Sequence, residues 1–232
     1  MKTFLCIILL SAITASSALA TAQFPDKIVY KGNQYDLLSN PMESYFKKNP
    51  DKRPHGAMCS ALWRGYVATF EIKDKDLVLT DIQIMDASEN DITFKSVKDT
   101  FLTKGEPLKL DWFSGILVIP SGNLVNYVHM GYGSTYSGYI LLEIKNGKLT
   151  GERTYNQEQY EKFKEKQFQA YKKTEAYRKQ VEELKNKTGT QESLDSFLRS
   201  FVVEYTSEFL DEGSPSKEPN TPATKTEAPS TK

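Results

Sequence analysis

The stretch that most restricts the fold runs from Leu62 to Met85, LWRGYVATFEIKDKDLVLTDIQIM. Two apolar runs rich in β-branched and aromatic residues meet at Lys73-Asp74-Lys75-Asp76, the pattern of an antiparallel hairpin. In the first run Tyr66, Ala68, Phe70 and Ile72 share one face and Thr69 and Glu71 the other, because side chains alternate along a strand. Leu77, Val78 and Leu79 are apolar without alternation, so the second strand is expected to be central, covered on both faces and able to take a bulge. A hairpin of this kind needs more strands to cover it, and the block from Trp112 to Leu149 supplies them.

The chain opens with the three parts of an export signal. Lys2 is a basic n-region, Phe4 to Ile13 an apolar h-region, and Ala18-Leu19-Ala20 a small-residue cleavage site. The run is short for a bilayer span, so residues 1–20 are expected to be cleaved and the mature chain to begin at Thr21, secreted or periplasmic and without membrane insertion. Cys6 does not follow the h-region and so is not a lipid-attachment cysteine. The chain has 30 Lys+Arg and 30 Asp+Glu, and loss of Lys2 leaves the mature protein slightly acidic. No basic excess is present to neutralise phosphates, which argues against a nucleic-acid partner. Cys59 is then the one remaining cysteine, and a disulfide scaffold is excluded.

In chain order, Ile28 to Leu38 reads as a short hairpin turning at Lys31-Gly32-Asn33. Ser39-Asn40-Pro41 predicts an N-cap and a helix from Pro41 to about Lys48. Ile92 to Val97 is a weak strand, Trp112 to Ile119 a strong one, Pro120-Ser121-Gly122-Asn123 a turn, and Leu124 to Met130 a further strand. Asn146-Gly147 is a strong hairpin signal. From Thr154 the period changes. Tyr160, Phe163, Gln167, Ala170, Thr174, Tyr177, Val181 and Leu184 alternate spacings of three and four, with Thr154 and Gln157 as a capping box. A second helix is expected from Gln191 to Asp211, and the short link makes the two an antiparallel hairpin over residues 154–211. The polar seam residues Gln167 and Thr174 favour packing on the β-domain over a free coiled coil. Residues 212–232 hold no large apolar side chain and are expected to be a disordered tail.

Few residues point to chemistry. Cys59 and His129 are the sharpest catalytic pair, a thiol with a later base. The segment HMGYGSTYSGY, His129 to Tyr139, is the best binding candidate. Its glycines permit close approach, while Tyr132, Tyr136 and Tyr139 offer flat rings with hydroxyl tips that suit a glycan or protein ligand of the cell envelope. His129 and Trp112 are counted with them. The competing reading is a glycine-bulged hairpin whose tyrosines alternate between core and solvent. Arg64 and Glu71 fall on opposite strand faces, so stacking of Arg64 on an aromatic is the expected outcome. The two histidines lie far apart and no phosphate-binding glycine pattern occurs, so neither metal nor cofactor is expected.

Two resemblances attach to these residues. Met58-Cys59-Ser60-Ala61-Leu62 faintly resembles the Cys-Ser-Gly-Leu segment of NlpC/P60 cell-wall peptidases, departing from it at Met58 and Ala61 and in preceding a strand where that family has a helix. Separately, the Trp63-Arg64-Gly65-Tyr66 strand and the His129-Met130-Gly131-Tyr132 block resemble a group of small bacterial proteins of uncharacterised activity. That likeness implies one β-rich domain and carries over no catalytic residue. The expected fold is α+β: an antiparallel β-rich roll or partly open barrel over residues 21–153 with the C-terminal helical hairpin. The expected function is an exported, non-enzymatic binding protein. The alternatives are a cysteine-dependent cell-wall hydrolase and an immunity-type or inhibitor protein.

Overall fold

Turn chemistry sets the strand order. Lys31-Gly32, Asp74-Lys75 and Asn146-Gly147 all sit at positive φ, the two-residue turn whose twist matches that of paired strands. They close three hairpins: β1 (Asp26–Tyr30) with β2 (Asn33–Leu37), β3 (Tyr66–Lys73) with β4 (Asp76–Ser88), and β8 (Thr135–Lys145) with β9 (Lys148–Asn156). Gly147 is required on two counts. Its φ is +72°, and a Cβ there would meet the Leu110 carbonyl oxygen at 2.7 Å.

The computed structural model describes residues 21–88, 91–103, 106–184 and 190–210. The expected export signal, the expected tail and residues 185–189, between the two expected helices, lie outside them. The described residues form a mixed α/β fold with one nine-stranded sheet, not closed into a barrel, and five α-helices. The order is β2-β1-β3-β4-β9-β8-β7, with β5 (Asp91–Ser96) and β6 (Leu108–Lys109) paired to β4 and with β7 spanning Gly115–Asn126. β1 and β3 run parallel; every other pair within the sheet is antiparallel. The two ends of the order approach one another where Leu38 N–H donates to the Val118 carbonyl (2.8 Å).

The expected bulge falls in β4, where Thr69 faces Asp81 and Phe70 faces Leu79; Thr80 is left over and donates its hydroxyl to Thr69 O (3.1 Å). Pro120 to Asn123 proves not to be a turn. β7 runs through it to Asn126 with register shifts against β8 and Gly122 at φ +73°. The proline sits on the edge strand, where a missing N–H breaks no ladder. Trp112 lies ahead of β7, not within it.

Both faces of β7 and β8 are covered, which is why GILVIP is apolar throughout. Leu117, Ile119, Leu142 and Ile144 enter the inner core with Ile28, Phe46, Tyr66 and Phe70. Ile116, Val118, Tyr139 and Leu141 meet the helices on the other face. Phe46 comes from α1 (Met42–Lys48), which Pro41 opens without a side-chain cap, because the Asn40 amide is engaged elsewhere. The capping box of α2 (Gln157–Tyr171) is Asn156 with Gln159; Thr154 belongs to β9 and pairs with Ile140, so the ladder outcompetes the expected cap. The long first helix is broken at Lys172 to Thr174, after which α3 (Glu175–Leu184) resumes. The break allows the Thr174 hydroxyl to donate to Tyr171 O and to accept from Tyr177 N–H as the next helix starts. The second arm is likewise divided, into α4 (Gln191–Ser200) and the single turn α5 (Val202–Tyr205). No helix among the described residues is long and apolar enough to cross a membrane.

Candidate functional site

The broken second arm leaves space between helices and sheet. Leu38 and Ser39 follow β2 and lie along β7, where the Ser39 hydroxyl accepts from Val118 N–H (3.1 Å). α5 faces this seam. On one side of it a cavity of about 600 Å³ is lined by Trp63, Trp112, Phe113, Tyr205, Glu43 and Glu204 among others. On the other side a cavity of about 360 Å³ is lined by Met130, Tyr132, Tyr139, Tyr160, Glu161 and Lys164 among others. Leu38, Val203 and Glu204 belong to both walls, so the two cavities adjoin at α5 as a first and a second lobe.

Two residues that line the groove carry a buried polar atom without a partner. Four buried side-chain atoms find no hydrogen-bond partner among the described residues: Gln23 Oε1, Arg64 Nε, Trp112 Nε1 and Thr135 Oγ1. Trp112 lines the first lobe and Thr135 the second. A buried polar group without a partner costs about 1–3 kcal/mol, and such groups are few in folded proteins.

Behind the second lobe lies a buried charged centre. Arg64 is 1% exposed and Asp26 fully buried. The Arg64 guanidinium donates from Nη2 to Asp26 Oδ1 (3.3 Å) and to Phe24 O (2.8 Å), and from Nη1 to the Tyr132 hydroxyl (2.9 Å). Asp26 also accepts from Ala68 N–H (2.9 Å) and from the Asn40 amide (3.2 Å), which in turn reaches Tyr132 (3.0 Å). Burial pushes the Asp26 carboxyl up to about 6, against the pull of Arg64 and these donors. Burial likewise pushes the Tyr132 phenol up to about 12. The predicted stacking of Arg64 is present, over Tyr66 at 5.7 Å, but its carboxylate partner is Asp26 and not Glu71.

Glu43 is held apart from this centre. Arg53 grips it as a fork, Nη1 to Oε1 at 2.9 Å and Nη2 to Oε2 at 2.8 Å, and the Tyr66 hydroxyl donates to the same carboxylate (2.8 Å). Glu204 differs. It keeps accessible surface, yet the protein crowding its carboxyl raises its pKa by desolvation, and its side chain has no hydrogen bond or ion pair among the described residues.

The residues singled out from sequence divide accordingly. Tyr132, Tyr139 and Trp112 line the groove. Tyr136 lines neither lobe; its ring stands edge-on to Tyr139 at 6.2 Å and its N–H donates to the Tyr139 hydroxyl (2.9 Å). His129 also lies outside, exposed, with Nδ1 2.9 Å from the Tyr127 hydroxyl. Cys59 is exposed, in the loop before the turn that leads to β3, and no hydrogen bond joins it to His129. Among the described residues no group of three His, Cys, Asp or Glu side chains is placed to hold a metal ion. Sequence reasoning weighed Trp63 only together with Arg64 and Glu71, and overlooked Tyr205, Glu204 and Asp26 as site residues. Asp26 had a signal: it stands in phase with Ile28 and Tyr30 on the buried face of β1, where a carboxylate demands a partner. Comparison with protein-family models, with curated proteins and with solved structures finds no match for this chain.

Proposed function

We propose that the chain is an exported, non-enzymatic binding protein that holds an extended, hydroxyl-rich ligand, a glycan strand of the cell envelope, along the two-lobed groove. The observation that carries this reading is that both lobes combine aromatic side chains with hydroxyls, Trp63, Trp112, Ser44 and Ser114 in one and Tyr132, Phe201, Ser134 and Ser200 in the other. Aromatic faces pack on the apolar faces of sugar rings, and side-chain hydroxyls exchange hydrogen bonds with sugar hydroxyls. The hydrolase alternative would need Cys59 paired with His129, whose Nδ1 lies instead 2.9 Å from the Tyr127 hydroxyl. In this reading the sheet is a partly open roll whose unclosed seam, between Leu38 and β7, is the floor of the groove.

The chain has two tryptophans, and both line the first lobe, so tryptophan emission reports on it directly. Titration of the mature protein with N-acetylglucosamine oligomers is expected to change that emission saturably. Trp112→Phe should weaken binding by about 1–3 kcal/mol, the range of a desolvated aromatic contact. Silence toward every glycan tried would sink the reading. Cleavage of the oligomer or its peptide stem, lost in Cys59→Ser, would put the hydrolase in its place.

A further inference from the structure

We infer that the glycan carries protonated amines and that Glu204, where the lobes meet, is the group that seats them; this rests on the groove being the binding site. The charged side chains in the groove walls are Glu43, Glu161, Lys164 and Glu204. Glu43 is neutralised by the fork of Arg53. Glu161 and Lys164 neutralise each other at 2.8 Å, with the Lys164 ammonium also 5.0 Å from the centre of the Tyr160 ring. Glu204 alone among these four has no counter-charge, and it is the one charged residue that both lobes share.

Its surroundings favour a cation over a neutral hydroxyl. Glu204 is exposed in the free protein, so a ligand that covers it strips water from its carboxylate, and a cation placed against it offsets that loss with a charge-assisted hydrogen bond. Trp63, which is largely exposed, and the half-buried Tyr205 line the same lobe and offer aromatic faces that attract a cation through their quadrupoles. The rest of the lining is rich in hydroxyls, including Ser39, Ser44, Ser114, Ser134 and Ser200. Hydroxyls paired with one fixed negative charge match a sugar chain that bears free amino groups. An extended peptide would instead be held by a free strand edge through main-chain bonds.

The test is calorimetric titration of the mature protein with three probes: a glucosamine oligomer, the same oligomer N-acetylated, and a lysine-bearing peptide of similar length. The glucosamine oligomer is expected to bind about tenfold tighter than its acetylated form, the worth of one charge-assisted hydrogen bond. Glu204→Gln should erase that preference while leaving the acetylated oligomer's affinity unchanged, and Glu204→Asp, which keeps the charge, should retain part of it. Equal binding of both oligomers, or a preference that survives in Glu204→Gln, overturns the role of Glu204 and leaves the groove reading standing. Binding of neither oligomer removes the groove reading as well. Capture of the peptide alone replaces the glycan by a protein strand and overturns both.

Discussion

Two polar centres lie buried in this molecule, and each holds a wall of the groove by different chemistry. The first is Arg64 with Asp26, Asn40 and Tyr132, behind the second lobe. The second is Gln167 on α2, fully buried, which ties down the chain after α5. Its amide donates to the Thr206 hydroxyl (3.0 Å) and to Glu208 O (2.7 Å), and its carbonyl accepts from Leu210 N–H (2.8 Å). Thr206 in turn lines the first lobe. The amide spends both N–H groups and its oxygen and is closed. The arginine leaves Nε without a partner. A neutral side chain can be satisfied by one short segment. A charged one can gather several, here the segment at Phe24, β1, β3, Asn40 and the Tyr132 loop, at a desolvation cost that a single ion pair does not cancel.

The largest expected effect separates the two centres by charge. Arg64→Met leaves Asp26 buried without a counter-ion and should cost about 3–5 kcal/mol in urea denaturation. The double variant Arg64→Met, Asp26→Leu should recover much of that loss, since a packed apolar pair avoids both desolvation penalties. A double variant no more stable than the single one would show that the network's hydrogen bonds, not its charges, hold the segments together.

Next in size is a pH dependence that belongs to the first centre alone. The folded Asp26 carboxyl lies near 6, above its ordinary 3.8, so the folded state binds this proton more tightly than the unfolded one. The resulting stabilisation is full below pH 3.8 and is lost as pH rises through 6, at most about 3 kcal/mol from this group. Asp26→Asn should flatten that slope, whereas a Gln167 variant should keep it. A slope untouched by Asp26→Asn would move the pH dependence to other groups.

The difference between the centres also explains what could be read in advance. The hairpins were legible because Lys31-Gly32, Asp74-Lys75 and Asn146-Gly147 encode their turns locally. Gln167 was visible as a polar member of an apolar seam; its own bonds go to the chain after α5, while α2 packs on the sheet through Tyr160 against Tyr139 and Phe163 against Tyr155. The breaks at Lys172 to Thr174 and at Phe201 were not, because the heptad spacing continues through them and the tertiary contacts of Tyr171, Thr174 and Thr206 decide them. The groove was only half legible. Tyr132, Tyr139 and Trp112 were chosen for their rings, but Trp63, Glu43 and Glu204 meet only after strands and helices distant in sequence are folded together.

A smaller loss is expected at the neutral centre. Gln167→Leu removes three hydrogen bonds and strands Leu210 N–H in a half-buried place, for about 2–3 kcal/mol. Amide exchange should quicken over residues 206–210, and the tryptophan emission of the first lobe should shift as Thr206 loses its anchor. Unchanged exchange there would mean that Phe209, packed in the helical core and donating its N–H to Glu143 (2.7 Å), suffices to hold the segment.

The smallest effect is the most discriminating for the groove. Tyr132 has two roles in this structure: its hydroxyl accepts from Arg64 and Asn40, and its ring lines the second lobe. Tyr132→Phe removes only the first and should cost about 1 kcal/mol of stability, because Arg64 keeps Phe24 O and Asp26. Since the ring remains, glycan affinity should barely change. Tyr132→Ala removes both and should weaken binding by about 1–3 kcal/mol. Tyr136→Ala is the control, because that ring packs on Tyr139 and lines neither lobe. It should lower the melting temperature without altering the affinity of folded protein. If Tyr136→Ala weakens binding as much as Tyr132→Ala does, the ligand runs along the outer face of β8, and the groove between sheet and helices is the wrong place to look for it.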